Sequence, residues 1–134
     1  MRVFVLVLSL MIFAGLPRAQ AQQSGITDVI TSQIEALKVD DFATAFTFAH
    51  PSIQGIFGSP ENFGRMVSQG YPMVWRPAEV DYLTLRERNG FTFQDVQIVD
   101  QQGRVFVLEY AMTQTDAGWR ISGVRILEES ALST

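Results

Sequence analysis

The hydrophobic pattern of this chain changes its period once, near Pro77, and that change constrains the fold more than any other feature. Before Pro77 the apolar residues recur at the spacing of amphipathic helices, and after it they alternate with polar residues as in strands. From Ala78 onward there is no proline. Helices followed by strands predict an α+β domain in which the helices pack on one face of an antiparallel sheet.

Three helices are predicted in the first part of the chain, from apolar spacing and from capping residues. They cover residues Ile26–Lys38, about 42–49 and about 60–70. Asp40 or Asp41 suits the N-cap of the second helix, and Ser59 suits the N-cap of the third. The second helix is expected to end at His50, because Pro51 disfavours helical backbone in the residue before it.

Four strands joined by three tight turns are predicted in the second part. The turn signals are Asn89-Gly90, Gln101-Gln102-Gly103 and Asp116-Ala117-Gly118. The Asn-Gly pair is the strongest of them, because both central positions of a type I′ turn need positive φ. In the strand over 104–114 the side chains expected to face the helices are Phe106, Leu108, Tyr110 and Met112. This arrangement is an antiparallel meander.

The opposite face of the sheet is predicted to be rather apolar. By alternation it carries Val105, Val107, Ala111, Val124 and Ile126, together with Glu109. Gly123 suggests a bulge or bend that curves the sheet. An apolar outer face favours a homodimer formed through the sheet.

The first 21 residues have the features of a cleavable secretory signal peptide. Arg2 precedes an apolar segment that extends to Leu16, and Ala19-Gln20-Ala21 is the small-x-small pattern that signal peptidase cleaves. Its core of about 14 apolar residues is shorter than the about 20 that span a bilayer. We therefore expect an exported protein, periplasmic or secreted, with residues 1–21 removed and 22–134 forming a single domain without stable membrane insertion. An uncleaved membrane anchor is the alternative.

Charge and composition argue against several classes of function. Loss of Arg2 and Arg18 with the signal peptide lowers the formal net charge from −4 to −6, whereas nucleic-acid binding needs a basic surface. With no cysteine and one histidine, a zinc or copper site is not expected. Phosphate-loop, dinucleotide-binding and H-E-x-x-H motifs are absent from the sequence. The sequence therefore predicts no metal, no cofactor and no nucleic-acid partner.

Particular segments carry a resemblance to known families. The order of elements, the turn at Lys38-Val39-Asp40-Asp41 and the segment over 118–124 resemble the nuclear transport factor 2-like (SnoaL-like) superfamily. The segments over 33–37, 45–49 and 63–67, with Pro51 and Tyr71, are similar to a family of exported bacterial proteins of unknown function. The resemblance implies a cone-shaped fold with an internal pocket. Superfamily members include isomerases, dehydratases, cyclases and non-catalytic binding proteins, so the fold does not choose among them.

His50 and Asp81 are the candidate catalytic residues. Imidazole is the usual proton carrier near neutral pH, but a histidine at a helix end also suits the terminal carbonyls and the helix dipole. Asp81 is expected to share a strand face with Leu83 and Leu85, where desolvation would raise the pKa of a carboxyl group.

Tyr71, Trp75, Arg76 and Tyr110 are the candidate ligand-binding residues, since they combine large rings and hydrogen-bond donors with one cation. The alternative is that Tyr71 and Trp75 fill the core and that Arg76 lies on the surface. Two functions follow. The favoured one is a non-catalytic module that binds a small apolar molecule or a protein partner. The alternative is a cofactor-independent isomerase, dehydratase or cyclase, disfavoured because no second clear acid or base is present.

Overall fold

The computed structural model describes residues 18–130, so most of the predicted signal peptide lies outside the described residues. The helices are α1 (Arg18–Lys38), α2 (Phe42–Thr47), α3 (Pro51–Phe57), α4 (Pro60–Gly70) and α5 (Pro72–Trp75). The strands are β1 (Pro77–Arg88), β2 (Phe91–Asp100), β3 (Val105–Thr115) and β4 (Gly118–Ser130). The predicted α+β class, with helices before strands, is confirmed. None of the described helices is both long enough and apolar enough to cross a membrane.

The four strands form one open antiparallel sheet in the order β1-β2-β3-β4, as the turn signals predict. Asn89 and Gly90 have φ values of 53° and 80°, which is the backbone of the predicted type I′ turn. Consecutive strands are therefore neighbours throughout. This topology leaves β1 and β4 as the two edges of the sheet.

The hydrophobic core lies between the helices and one face of the sheet, which we call the inner face. The α1 helix contributes Ile26, Ile30, Ile34 and Leu37, all buried. The inner face contributes the residues that alternation predicts on β3, namely Phe106, Leu108, Tyr110 and Met112. The opposite, outer face of the sheet is covered by none of the described helices that pack on the core.

The predicted C-terminal end of the second helix is wrong. The α2 helix stops at Thr47, and His50 is the N-cap of a further helix, α3, rather than the last residue of α2. The backbone here pairs with β4: the His50 N–H donates to the Ile121 carbonyl at 2.8 Å, and the Ile121 N–H donates to the Phe48 carbonyl at 2.9 Å. These two bonds draw the chain out of helical geometry, and Pro51 then occupies the first turn of α3.

The other predicted helix starts agree better with the structure. Asp41 accepts a hydrogen bond from the Thr44 N–H at 3.2 Å, and Ser59 accepts one from the Asn62 N–H at 3.2 Å. Both are the N-caps that the sequence predicts. The first helix ends at Lys38 as predicted but begins earlier, at Arg18.

Irregular pairing in β1 and β4 corrects two predicted faces. In β1 the register shifts between Tyr82 and Leu85, so Leu85 packs on the core whereas Asp81 is exposed on the outer face. Asp81 and Leu85 therefore do not share a face.

In β4 the register shifts beside Gly123, where the sequence predicts a bulge. Val124 consequently pairs with Tyr110, and Ile126 pairs with Leu108, which places both on the inner face rather than the outer one. The outer face is less apolar than predicted. A homodimer through this face stays a prediction.

Candidate functional site

A cavity of about 250 Å³ lies between the helices and the inner face of β3 and β4. The α3 and α4 helices form one wall with Ile53, Phe57, Phe63, Met66 and Val67. The sheet forms the opposite wall with Tyr110, Ile121, Gly123 and Val124, and the lining is completed by Gln33, Ala49, Tyr71 and Val74. Most of these side chains are apolar. The cavity therefore has the size and the lining that a small apolar molecule needs.

Aromatic packing holds the helical wall together. The Phe63 ring lies 5.5 Å from that of Phe46 and 6.0 Å from that of Phe57, measured between centroids. The second pair is edge-to-face, a favourable geometry for aromatic rings. Gly58 joins α3 to α4 with a φ of 78°, which a side chain would disfavour. The turn thus sets the angle at which the two helices enclose the cavity.

Tyr71, one of the candidate ligand-binding residues, lines the cavity at the end of α4. Its hydroxyl donates to the Val124 carbonyl at 3.1 Å. This bond ties the helical layer to β4 across the cavity. The ring remains available to a ligand, whereas the hydroxyl proton is already used.

Tyr110 also lines the cavity, from the middle of β3. It is fully buried, and its hydroxyl has no hydrogen-bond partner among the described residues. Burial raises the pKa of Tyr110 well above the ordinary value, with smaller contributions from Tyr82 and Tyr71. The hydroxyl is therefore a permanently protonated donor without an acceptor. Leaving such a group unpaired costs about 1–3 kcal/mol.

Gln33 is a lining residue that sequence reasoning missed. It lies on α1 with 4% of its surface exposed, and its amide nitrogen donates to the Ala45 carbonyl at 3.1 Å. The amide oxygen is left to accept a bond from another partner. A signal was present, because Gln33 falls within the apolar stripe that Ile30, Ile34 and Leu37 define on this helix.

Trp75 and Arg76 do not line the cavity but brace the turn between α1 and α2. The Trp75 indole donates to Asp40 at 2.8 Å, and Arg76 donates to the same oxygen at 3.0 Å. The Arg76 guanidinium also lies 3.9 Å from the centre of the Trp75 ring. Hydrogen bonds from Trp75 and then Arg76 lower the pKa of Asp40. These contacts fix Asp40 at a φ of 56°, an uncommon value for aspartate.

His50 and Asp81 lie at opposite edges of the sheet, and neither lines the cavity. His50 borders β4, and its Nδ1 accepts from the Ser52 N–H at 3.1 Å. Asp81 lies on β1, exposed on the outer face. The structure does not bring the two candidate catalytic residues together.

A cluster of charged residues occupies the outer face of the sheet. Arg86 donates to Asp95 at 2.7 Å and to Glu109 at 2.6 Å, while Arg125 donates to the other oxygen of Glu109 at 3.0 Å. The hydrogen bond from Arg86 is the main cause that lowers the pKa of Glu109, although burial opposes it. Both oxygens of Glu109 are thus engaged by arginine. Within residues 18–130, no group of three or more His, Cys, Asp or Glu side chains is placed to hold a metal ion.

Comparison with known proteins identifies a family for nearly the whole described chain. A family model described as "Domain of unknown function (DUF4864)" matches residues 19–134. No curated protein and no solved structure matches the chain. The resemblance to the nuclear transport factor 2-like superfamily therefore stays a prediction.

Proposed function

This chain belongs to the DUF4864 family, whose description names no activity, and we propose from the cavity that it is an exported, non-catalytic module that binds a small, mostly apolar molecule. The observation that carries the proposal is a cavity of about 250 Å³ with a mostly apolar lining. A dry cavity of roughly 150 Å³ accepts benzene. A molecule of one or two rings therefore fits here.

The chemistry of the lining favours binding over the isomerase, dehydratase or cyclase alternative. Proton transfer in such enzymes needs a group that changes its charge near the working pH. Among the described residues that line the cavity, Tyr71 and Tyr110 are the titratable ones. Burial moves the pKa of Tyr110 away from neutrality rather than toward it.

The start of packing along α1 supports export. Arg18, Gln20 and Ala21 are exposed. Gln22 and Gln23 contact the sheet: the Gln22 amide donates to Glu87 at 3.1 Å, and the Gln23 amide donates to Gln94 at 3.4 Å. Cleavage after Ala21 would therefore keep the residues that hold α1 on the sheet.

A substitution that fills the cavity tests the binding proposal. Val124 is half-buried and lines the cavity, so Val124→Phe places a ring where the ligand would lie. The matched control is Val107→Phe, a half-buried valine of the adjacent strand that faces outward. Thermal unfolding is followed with and without 1 mM p-cresol or p-xylene, because a ligand that binds only the folded state raises the unfolding temperature.

We expect at least one compound to raise the unfolding temperature of the wild-type protein and of Val107→Phe, but not that of Val124→Phe. Affinity for the filled variant should fall about tenfold or more, equivalent to about 1.4 kcal/mol. Equal responses of the two variants would show that the compounds bind elsewhere. No response from the wild-type protein would contradict the proposal.

A further inference from the structure

The outer face of the sheet has a basic end and an acidic end. By strand register, the end beside the β1–β2 turn carries Arg88 of β1 and Arg120 of β4. The end beside the β2–β3 turn carries Glu79 and Asp81 of β1 and Glu128 of β4. None of these five side chains forms an ion pair with another residue of the part of the chain that the structure describes. They are therefore available to pair with charges on another molecule.

The middle of the outer face, between these ends, carries no net charge. Arg86 and Arg125 balance the carboxylates of Asp95 and Glu109, to which they are bonded. A second protein surface placed against the middle therefore meets no net repulsion. The half-buried apolar side chains of this face are Phe93, Val99, Val105, Val107 and Ala111.

The outer face is large enough to form a stable interface. Its shortest strand, β2, has 10 residues. Four strands of that length cover about 34 by 19 Å, or about 650 Å², before the surface of the side chains is added. A standard stable interface buries about 800 Å² of accessible surface on each partner. A single partner that covers this face would therefore bury an area of the usual size.

A second copy of this chain fits the charges of the outer face in one of two orientations. The two-fold axis between two facing sheets runs either along the strands or across them. An axis along the strands places each end against the same end of the other copy, so that Arg88 faces Arg120. An axis across the strands places each basic end against an acidic end, so that Arg88 faces Glu79. Only the axis across the strands brings opposite charges together.

We propose that the protein is a homodimer in which the outer faces of two copies pack together, with the basic end of each copy against the acidic end of the other. The strands of the two sheets are then aligned to within about 30°, as in other packed pairs of sheets. By symmetry, the contact between Arg88 and Glu79 occurs twice in each dimer. The proposal goes beyond the binding function and does not depend on it, because the cavity lies on the inner face.

Charge reversal at the two ends tests this arrangement. Self-association is measured by sedimentation equilibrium on protein purified after expression of the full chain, in about 50 mM salt, where charges are weakly screened. Arg88→Glu makes both of its contacts in the dimer repulsive, and Glu79→Arg does the same from the other end. Both residues are exposed, so we expect both variants to fold. Each variant should dimerise about tenfold more weakly than the wild-type protein.

An equal mixture of Arg88→Glu and Glu79→Arg tests the pairing of the two ends directly. In a dimer of one copy of each variant, both contacts again join a glutamate to an arginine. The mixture should therefore form a heterodimer with about the affinity of the wild-type homodimer. The control is Glu61→Arg, which makes the same change of charge at an exposed position of α4 and should leave dimerisation unchanged.

The other outcomes overturn the proposal at different points. A wild-type protein that stays monomeric at millimolar concentration would exclude the homodimer. Tighter self-association of Arg88→Glu would show that two basic ends face each other, and would overturn the orientation. Unchanged self-association of both variants, or a mixture that associates no better than either variant alone, would overturn the pairing of the basic end with the acidic end.

Discussion

At the scale of single residues, Glu109 shows how a carboxylate becomes buried on an uncovered face of a sheet. Its side chain is 7% exposed, because Arg86 and Arg125 lie across it and bond to both of its oxygens. Strand alternation places Glu109 on the outer face correctly, but its burial depends on arginines from two other strands. The alternation of one strand does not show that arginine side chains of other strands extend across the sheet to it.

We predict that Glu109→Gln lowers the free energy of unfolding by about 1–3 kcal/mol at pH 7, because charged hydrogen bonds to both arginines are lost. Since the pKa of Glu109 is lowered in the folded state, its contribution is present above the unfolded pKa of about 4.3 and disappears as the pH falls below that value. Urea unfolding at pH 7 and at pH 3 measures the difference.

The difference between wild type and Glu109→Gln should therefore be smaller at pH 3 than at pH 7. Asp81→Asn is the control, because Asp81 is an exposed carboxylate on the same face. It should change stability by less than about 0.5 kcal/mol at either pH. If Glu109→Gln lowered the free energy of unfolding equally at both pH values, packing and not charge would stabilise the cluster.

At the scale of elements, α3 is the helix that sequence reasoning missed, and it forms part of the cavity wall. Its seven residues are too few for an apolar stripe to be recognised, and Gly55 interrupts them. A proline disfavours helical backbone in the residue before it, but Pro51 also begins the next helix. Two bulges likewise place residues of β1 and β4 on the face opposite to the predicted one. Strict alternation does not show where a strand contains an extra residue.

We predict that His50→Ala lowers the free energy of unfolding by about 1 kcal/mol, because the N-cap acceptor of α3 is removed. His50→Asn should keep most of the stability, since asparagine is among the preferred N-caps. Equilibrium urea unfolding of the wild-type protein and the two variants under the same conditions measures the difference. Equal destabilisation of both would mean that packing of the imidazole ring outweighs the cap.

At the scale of the whole molecule, the cavity arises where four helical segments and two strands meet. The interior position of Tyr71 and Tyr110 could be predicted, because large rings in a small domain lie inside it, and both line the cavity. Trp75 and Arg76 resemble them in sequence but lie at the α1–α2 turn, a distinction that only the packing of α5 makes. Fold class and strand order can thus be predicted from local features of this sequence, namely its periodicity and its turn signals. The position of the cavity depends on contacts between distant segments.

The order of exposed and packed residues along α1 leads to a prediction about the mature protein. Ala21 is exposed and the Gln22 side chain bonds to the sheet, so cleavage between them should leave a complete domain. When the full chain is expressed in a bacterium with two membranes, we expect intact-mass analysis of the periplasmic fraction to give an N-terminus at Gln22.

Ala21→Leu provides the matched control, because it removes the small residue that signal peptidase needs while changing only an exposed position. We expect this variant to accumulate with its first 21 residues attached, in the membrane fraction. Recovery of unprocessed wild-type protein from the cytoplasm would contradict export. Its cavity could then still bind a small apolar molecule, because none of the described residues that line it precedes Gln33.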